Sequence, residues 1–376
     1  MTGPLSGLRI VELAGVGPGP FCGMMLADHG AQVIRVEKPG AHVDARDPLA
    51  RSRDSIIVDM KSAGGAMIVR DLVKTSAGFI EGFRPGVAER LGLGPDVLLS
   101  DNPKLVYGRM TGWGQTGPYA QAAGHDINYI ALSGALHGMG RAGDKPTPAL
   151  NLVGDFGGGG MMLAFGMLCA LLVVLRGGKG QVVDCAMTDG SALLSAMTWG
   201  YYASGEWRDE RGTNLFDTGA HFYDTYECSD GKFISLAAIE PKFYALLREK
   251  LGIDADARFD AQFDRQRWVP LKSALTTLFL SRSRAEWCEL LEMTDACFAP
   301  VLSLEEAPRH PYHAERRTFL QIGAGVQPAP APRYSDTPTK APNAFGIAGD
   351  GAEKVLTEIG YDAKRIAELR RCGVLG

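Results

Sequence analysis

Short apolar segments that alternate with helical ones constrain the fold of the N-terminal part of this chain most. Strands are predicted at five segments: Leu8–Leu13, Gln32–Lys38, Ile56–Met60, Gly78–Glu81 and Leu105–Tyr107. Helical spacing lies between them, at residues 21–28 and 65–74. This alternation predicts a doubly wound parallel, Rossmann-like sheet, an α/β fold. Ligands of such sheets bind beyond the carboxyl ends of the strands. The cations expected near a ligand there are Lys38, Lys61, Arg84 and Arg90.

The turn after the first predicted strand, Gly15–Pro20, contains glycines but does not match a dinucleotide-binding fingerprint. Pro18 and Pro20 have no backbone N–H with which to bind a pyrophosphate. The segment is therefore interpreted as an ordinary tight turn at a sheet edge.

Changes in composition along the 376 residues predict the domain organisation. A β-hairpin pattern around Ser229-Asp230-Gly231 indicates a smaller α+β domain, and residues 323–342 are rich in proline and glycine. The predicted division is a large α/β domain at 1–190, a linker at 191–222, the small domain at 223–304, a linker arm at 305–345, and C-terminal helices at 346–376 that return to the large domain.

Composition excludes several classes of function. The net charge of −4 gives no overall basic field for nucleic acid or membrane lipid. The seven cysteines form no C-x-x-C pair, so a zinc or redox motif is not indicated. An odd number of cysteines without clustering suits a reducing compartment, and the cytoplasm is therefore expected. No signal peptide is visible. The apolar run Met161–Leu175 is predicted to be a buried helix, too short to span a membrane.

The stretch from Gly124 to Gly160 contains the strongest candidates for catalysis. His125 lies among polar residues in an otherwise apolar segment, and a neutral imidazole is a suitable base at neutral pH. Asp155 precedes four glycines and an apolar helix. A base and an acid on opposite faces of one carbon are what racemisation requires. The alternatives are a structural histidine and a helix-capping aspartate. For Glu240, before Pro241, the alternative is a helix-start carboxylate.

Several segments in one order resemble the family III CoA-transferase superfamily. They are Leu5–Leu13, Gly30–Lys38, Arg84–Gly94, Arg109–Pro118, Gly124–Tyr129, Gly154–Gly158 and Ala352–Leu356. Gly154-Asp155 is similar to the motif shared across the superfamily, in whose transferases the aspartate is a nucleophile. The His-Asp pair after Gly124 resembles the racemase branch, which interconverts (2R)- and (2S)-2-methylacyl-CoA thioesters.

The resemblance implies a large CoA-binding domain, a small domain and an interlocked homodimer. It implies that His125 and Asp155 are the two acid/bases, and that Asp126 and Glu240 orient or recharge them, Glu240 across the subunit interface. CoA is part of the substrate, and neither a metal nor an organic cofactor is implied. The enolate oxygen is expected to be stabilised by N–H groups at the start of the helix containing Gly157.

The same resemblance implies a binding site for the CoA moiety. Its residues are Lys38, Val58, Asp59, Met60, Lys61, Gly82, Phe83, Arg84, Arg90, Gly124, Ile127, Asn128 and Tyr129. The stretch Arg51–Ser55 departs from the family pattern through Asp54, which argues against phosphate contacts by Arg51 or Arg53. Two other functions remain open: a CoA-transferase that forms an Asp155 adduct, and a catalytically silent acyl-CoA-binding protein.

Overall fold

The computed structural model describes residues 2–376 and contains a six-stranded parallel sheet with the order β3-β2-β1-β4-β5-β6. The strands are β1 (Arg9–Leu13), β2 (Gln32–Glu37), β3 (Arg53–Ile57), β4 (Gly78–Glu81), β5 (Val106–Thr111) and β6 (Gln181–Ala186). The chain runs outward from β1 in one direction and then from β4 in the other, so the topological switch point lies between these strands. The predicted doubly wound α/β fold is confirmed.

This sheet belongs to the first of two compact units, which comprises residues up to Ser133, Leu150–Leu194 and Pro311–Gly376. Its helices are α1 (Pro18–Asp28), α2 (Ala63–Val73), α3 (Val87–Arg90), α4 (Pro95–Asp101), α5 (Asp126–Leu132), α6 (Met162–Leu175), α7 (Met187–Leu194), α12 (Pro311–Arg316), α13 (Ala352–Glu358) and α14 (Ala363–Arg371). A hairpin of β10 (Phe319–Ile322) and β11 (Gly325–Pro328) completes it.

The core of this unit explains why β1, β2 and β4 are nearly continuous apolar runs. Val11, Ile34 and Phe79 are all fully buried, as expected for strands covered on both faces. The C-terminal helices contribute to the same core through buried side chains such as Val355 and Ile366. The terminal residues also add a bridge between Val58 and Leu375 beside β3.

The second unit comprises Gly134–Ala149 and Ser195–His310. It contains an antiparallel sheet of β7 (Tyr223–Glu227), β8 (Phe233–Ala237) and β9 (Phe298–Pro300), with helices α8 (Ala196–Ser204), α9 (Pro241–Leu251), α10 (Arg265–Phe279) and α11 (Arg284–Leu291). The smaller α+β region expected from the hairpin pattern is therefore present.

The sequence-based boundaries differ from this division, since they put residues 134–149 in the large domain and residues 191–222 in a linker. Long-range contacts account for the difference. Arg141 forms an ion pair with the buried Asp224 of β7 at 2.9 Å, and Arg211 donates to the carbonyl of His137 at 2.7 Å. Such pairs join segments far apart in sequence, and neither composition nor periodicity reveals them.

Two elements of the first unit differ from their predictions. The third strand begins at Arg53 rather than Ile56, because Arg53 and Ser55 are buried despite being polar. The apolar helix is also longer than predicted, because a π-helical segment, Leu152–Met161, precedes α6 without a break. By length and composition alone, the 24-residue helix Leu152–Leu175 could cross a membrane, although 44% of its most apolar window is buried in the protein.

Candidate active site

A cavity of about 440 Å³ lies in the first unit, beyond the carboxyl ends of β1, β4 and β5. Its wall is formed by residues 15–20 after β1, residues 82–85 after β4, and residues 110–113 at the end of β5. Residues 15–20 therefore follow a central strand, next to the switch point, and residues 18–20 already belong to α1, so the prediction of a sheet-edge turn is wrong. The switch point is where a doubly wound sheet forms its ligand crevice.

His125 and Asp155 both line this cavity. They come from different elements: His125 is the residue that precedes α5, and Asp155 lies in the first turn of the π-helix. The positive charge of a protonated His125 lowers the pKa of Asp155, so the two groups interact electrostatically. An imidazole and a carboxylate that line one cavity are both accessible to a molecule that occupies it.

Asp155 is half-buried, and burial is the main cause that raises the pKa of its carboxyl group above 3.8. The neighbouring carboxylate of Asp126 raises that pKa further. A hydrogen bond from Nδ2 of Asn151 to Oδ2 of Asp155, at 3.0 Å, acts in the opposite direction. The carboxyl group thus has a pKa displaced toward the range in which it can both accept and return a proton.

Asp126 is buried and holds the backbone that carries Asp155. Its Oδ1 accepts hydrogen bonds from the N–H groups of Gly154, at 2.6 Å, and Asp155, at 2.8 Å. A carboxylate at the first free N–H groups of a helix is a favourable cap. These N–H groups already have an acceptor in Asp126, so the structure does not support the expected use of the helix start for an enolate oxygen.

The glycine run after Asp155 packs against two other helices rather than lining the cavity. A methyl group on Gly160 would lie 2.7 Å from the carbonyl of Pro18 in α1, and one on Gly158 would lie 2.7 Å from the backbone nitrogen of Ser191 in α7. Gly158, Gly159 and Gly160 are buried. Glycine is required here for close helix packing, which holds Asp155 beside the start of α1.

Several residues predicted to bind CoA line the cavity, namely Gly82, Phe83, Arg84, Gly124 and Tyr129. The others do not line it: Lys38, Val58, Asp59, Met60, Lys61, Arg90, Ile127 and Asn128. Lys38, Lys61 and Arg90 are exposed cations near the ends of β2, β3 and α3. The side chain of Val58 is fully buried, and Asn128 accepts the backbone N–H of His125 at 3.1 Å. Their roles in binding CoA stay predictions.

Arg51 and Arg53 are both buried in ion pairs. Arg51 pairs with Asp28, and Arg53 pairs with Glu12 at 3.2 Å. Their guanidinium groups are occupied inside the protein, which agrees with the argument from Asp54 against phosphate contacts by this stretch.

Glu240 belongs to the second unit, where it is an exposed residue at the start of α9 and its carbonyl accepts the N–H of Tyr244 at 3.0 Å. This is the position of a helix-start carboxylate, and its expected action on His125 stays a prediction.

Asn151 is a site residue that the sequence analysis missed. The signal was present, because Asn151 and Asp155 are four residues apart and so share a helix face. The spacing indicates a contact only if the helix is known to start at Leu152, whereas the apolar pattern placed the start after Asp155.

Comparisons with known proteins agree with this architecture. The model of CoA-transferase family III matches residues 5–345. Alpha-methylacyl-CoA racemases from Mus musculus and Homo sapiens are 44% and 42% identical to this chain, each over 97% of it and 96% of their own length. An acetyl-CoA:oxalate CoA-transferase from Acetobacter aceti is 30% identical, over 93% of this chain and 94% of its own.

Solved structures show the same fold. A CAIB/BAIF family protein from Brucella suis superposes with a TM-score of 0.81 and 26% identity, covering 96% of this chain and 100% of its own. The protein Rv3272 from Mycobacterium tuberculosis superposes with a TM-score of 0.78 and 29% identity, covering 94% and 99%. The sheet topology, the cavity at the switch point and the match across residues 5–345 together assign this chain to CoA-transferase family III.

Proposed function

We propose that this protein is an α-methylacyl-CoA racemase, an isomerase that interconverts (2R)- and (2S)-2-methylacyl-CoA thioesters. The observation that carries the proposal is one cavity lined by both His125 and Asp155, in a chain 42–44% identical to named racemases over nearly its whole length. Racemisation needs a base on one face of the α-carbon and an acid on the other.

In the proposed reaction, one of the two groups removes the proton from carbon 2, and the C–H electrons move into the thioester carbonyl to give an enolate. The other group then donates its proton to the opposite face of carbon 2. His125 and Asp155 exchange protonation states in each turnover, and solvent resets them. The thioester carbonyl itself acidifies the C–H bond, so we propose that neither a metal nor an organic cofactor takes part.

Supporting groups fit this scheme. Asn151 donates to Asp155, and Asp126 holds the backbone of residues 154 and 155. Arg84 is a cation in the cavity wall, suited to a phosphate of the CoA moiety. We propose that Glu240 of one subunit reaches His125 of the other, as in the interlocked homodimer that the family resemblance implies.

An exposed apolar stripe on α6 and the last residue of the π-helix supports the proposed homodimer. Its residues follow a 4-3-4-3 spacing and are all exposed: Met161, Phe165, Leu168, Leu172 and Leu175. Side chains at this spacing lie along one helix face, and a stripe of this size is costly to leave in water. A second copy of the chain would cover it, which also accounts for an apolar helix outside a membrane.

Sedimentation of the F165E/L172E variant tests the dimer, with Arg176→Glu as a control at the exposed end of the same helix. We expect a dimer for the wild type and the control, and monomers for the double variant. Co-sedimentation of a monomeric wild type with lipid vesicles would reject the dimer in favour of a membrane-bound helix. Seven unpaired thiols are consistent with the cytoplasm that we propose as the location.

Deuterium exchange separates the candidate functions. Incubation of (2S)-2-methylacyl-CoA in D₂O should introduce deuterium at carbon 2 with loss of configuration, and no carboxylate acceptor should be needed. CoA transfer to a carboxylate without exchange at carbon 2 would favour a transferase acting through an Asp155 adduct, the activity named for the Acetobacter aceti relative. CoA binding with neither reaction would indicate a silent acyl-CoA-binding protein.

A further inference from the structure

The peptide group that joins Gly124 to His125 is hydrogen-bonded at both ends. Its carbonyl oxygen accepts from the hydroxyl of Tyr129, and its N–H donates to Oδ1 of Asn128 at 3.1 Å. The next carbonyl, that of His125, accepts from the backbone N–H of Asn128 at 2.8 Å. The backbone on both sides of the His125 Cα atom is therefore fixed by the residues that follow it.

Tyr129 is itself held rigidly. It is 6% exposed, and its ring packs edge-on against Trp113 with 4.8 Å between ring centroids. A methyl group on Gly112 would lie 2.2 Å from this ring, and one on Gly124 would lie 2.8 Å from it. The ring thus fills the space that side chains at both positions would need, and its hydroxyl has little freedom to move away from Gly124.

The side chain of His125 is exposed, in contrast to Tyr129. Packing around the imidazole therefore contributes little to its position, whereas the fixed backbone limits where the imidazole can lie. A catalytic base must lie within hydrogen-bonding reach of the proton that it removes. A displacement of about 1 Å at a catalytic group can cost on the order of 100-fold in rate.

We infer that Tyr129, assisted by Asn128, is a positioning residue for the imidazole of His125 rather than a contact of the CoA moiety. This inference rests on the proposed racemase function. It reassigns the two residues from ligand binding to the alignment of one base. Asp155 lies in the π-helix and receives its side-chain hydrogen bond from Asn151, whereas the Tyr129 hydroxyl donates to the carbonyl of Gly124. The loss of that hydroxyl should therefore displace His125 and leave the hydrogen bonds of Asp155 intact.

Exchange rates measured separately for the two enantiomers test this asymmetry. One base removes the proton of the (2R) substrate and the other that of the (2S) substrate, and His125→Ala identifies which enantiomer depends on His125. Tyr129→Phe should slow deuterium uptake into that enantiomer by roughly 10- to 100-fold. Uptake into the other enantiomer, and KM for both, should stay at the wild-type values. Asn128→Ser should have a smaller effect of the same kind.

Tyr119→Phe is the matched control. Tyr119 also packs on Trp113, at 5.0 Å between ring centroids, but it is half-exposed, and its loss of a hydroxyl should leave both rates unchanged. Equal losses for both enantiomers in Tyr129→Phe, a raised KM with unchanged kcat, or no change would each overturn the inference. If Tyr129→Phe does not fold, the same outcomes apply to Asn128→Ser, which alters an exposed side chain. A wild-type protein that exchanges neither enantiomer would reject the proposed function itself.

Discussion

Two carboxylates of the first unit, Glu12 and Asp155, both have a pKa raised mainly by burial, yet their surroundings differ. Glu12 is fully buried in β1 and contacts two guanidinium groups, Arg35 at 3.2 Å and Arg53 at 3.2 Å. Asp155 lines the cavity and receives a neutral amide hydrogen bond from Asn151. A raised pKa alone therefore does not indicate catalysis. The partners distinguish the two carboxylates, because Glu12 is taken up in buried ion pairs with arginine, whereas Asp155 has an amide hydrogen bond and a nearby imidazole that can exchange protons with the same bound molecule.

The largest effect that this comparison predicts is on activity. His125→Ala or Asp155→Asn should lower the racemisation rate by roughly 10²- to 10⁴-fold in both directions, because each direction uses both groups. Asp155→Asn should leave the thermal midpoint unchanged or raise it, since an amide is less costly to bury than a carboxylate. Circular dichroism melting and chiral analysis of the product measure the two quantities. Full activity in either variant would exclude the two-base mechanism.

The buried pair should show the opposite behaviour. Arg53→Met removes one partner of Glu12 and should lower the free energy of unfolding by about 3–5 kcal/mol, because a buried charge loses its compensation. Urea titration measures the change. Combining Glu12→Gln with Arg53→Met should restore most of the lost stability, since an uncharged glutamine at position 12 needs no cation beside the methionine.

The exposed pair Arg46 and Asp44 is the matched control for this experiment, because its side chains are 75% and 48% exposed. Arg46→Met should change the stability little, since solvent screens such pairs. If Arg53→Met behaved like Arg46→Met, the distinction drawn here between the buried charge cluster and the cavity would fail.

Close packing around the π-helix should give an intermediate effect. A methyl group on Gly190 in α7 would lie 1.9 Å from the carbonyl oxygen of Gly158. Gly190→Ala should therefore cost at least about 1–3 kcal/mol of stability, the usual range for overpacking. A methyl group on Gly200 in α8 would meet no atom within 4 Å. Gly200→Ala should instead raise the free energy of unfolding by about 0.5–1 kcal/mol, because alanine is a better helix former than glycine. Equal stabilities of the two variants would contradict the assignment of the glycine run to packing.

The sequence allowed much of this molecule to be predicted, and the failures have one physical cause. Local patterns predict the apolar strands. Together with the family resemblance, they also single out His125 and Asp155, which line one cavity. The start of β3 was missed because Arg53 is polar yet buried, through its pairing with Glu12, which is 41 residues away. The role of Asp126 as a cap was missed because the N–H groups that donate to it lie in the π-helix, at Gly154 and Asp155. Such contacts depend on which distant polar groups meet, and periodicity does not record that.

The smallest predicted effect concerns pH. Asp155 acts as a base only when ionised, so the rate of deuterium uptake with retained configuration, for the enantiomer that it deprotonates, should have an acidic limb above pH 3.8. The hydrogen bond from Asn151 stabilises the carboxylate, and its removal by Asn151→Ala should raise the pKa of Asp155 and move that limb to higher pH. Asn151→Asp should move it further, because a second negative charge opposes ionisation.

The enantiomer deprotonated by His125 provides the internal control for this shift, since the Asn151 amide donates to Asp155 and not to the imidazole. Its acidic limb should change less than that of the Asp155-dependent enantiomer in both variants. A shift of the Asp155 limb toward lower pH, or equal shifts for the two enantiomers, would mean that the cavity does not distinguish its two bases. In that case Asn151 would affect both bases. The contrast between Glu12, paired with arginine, and Asp155, bonded to an amide, would then not explain which carboxylate exchanges protons.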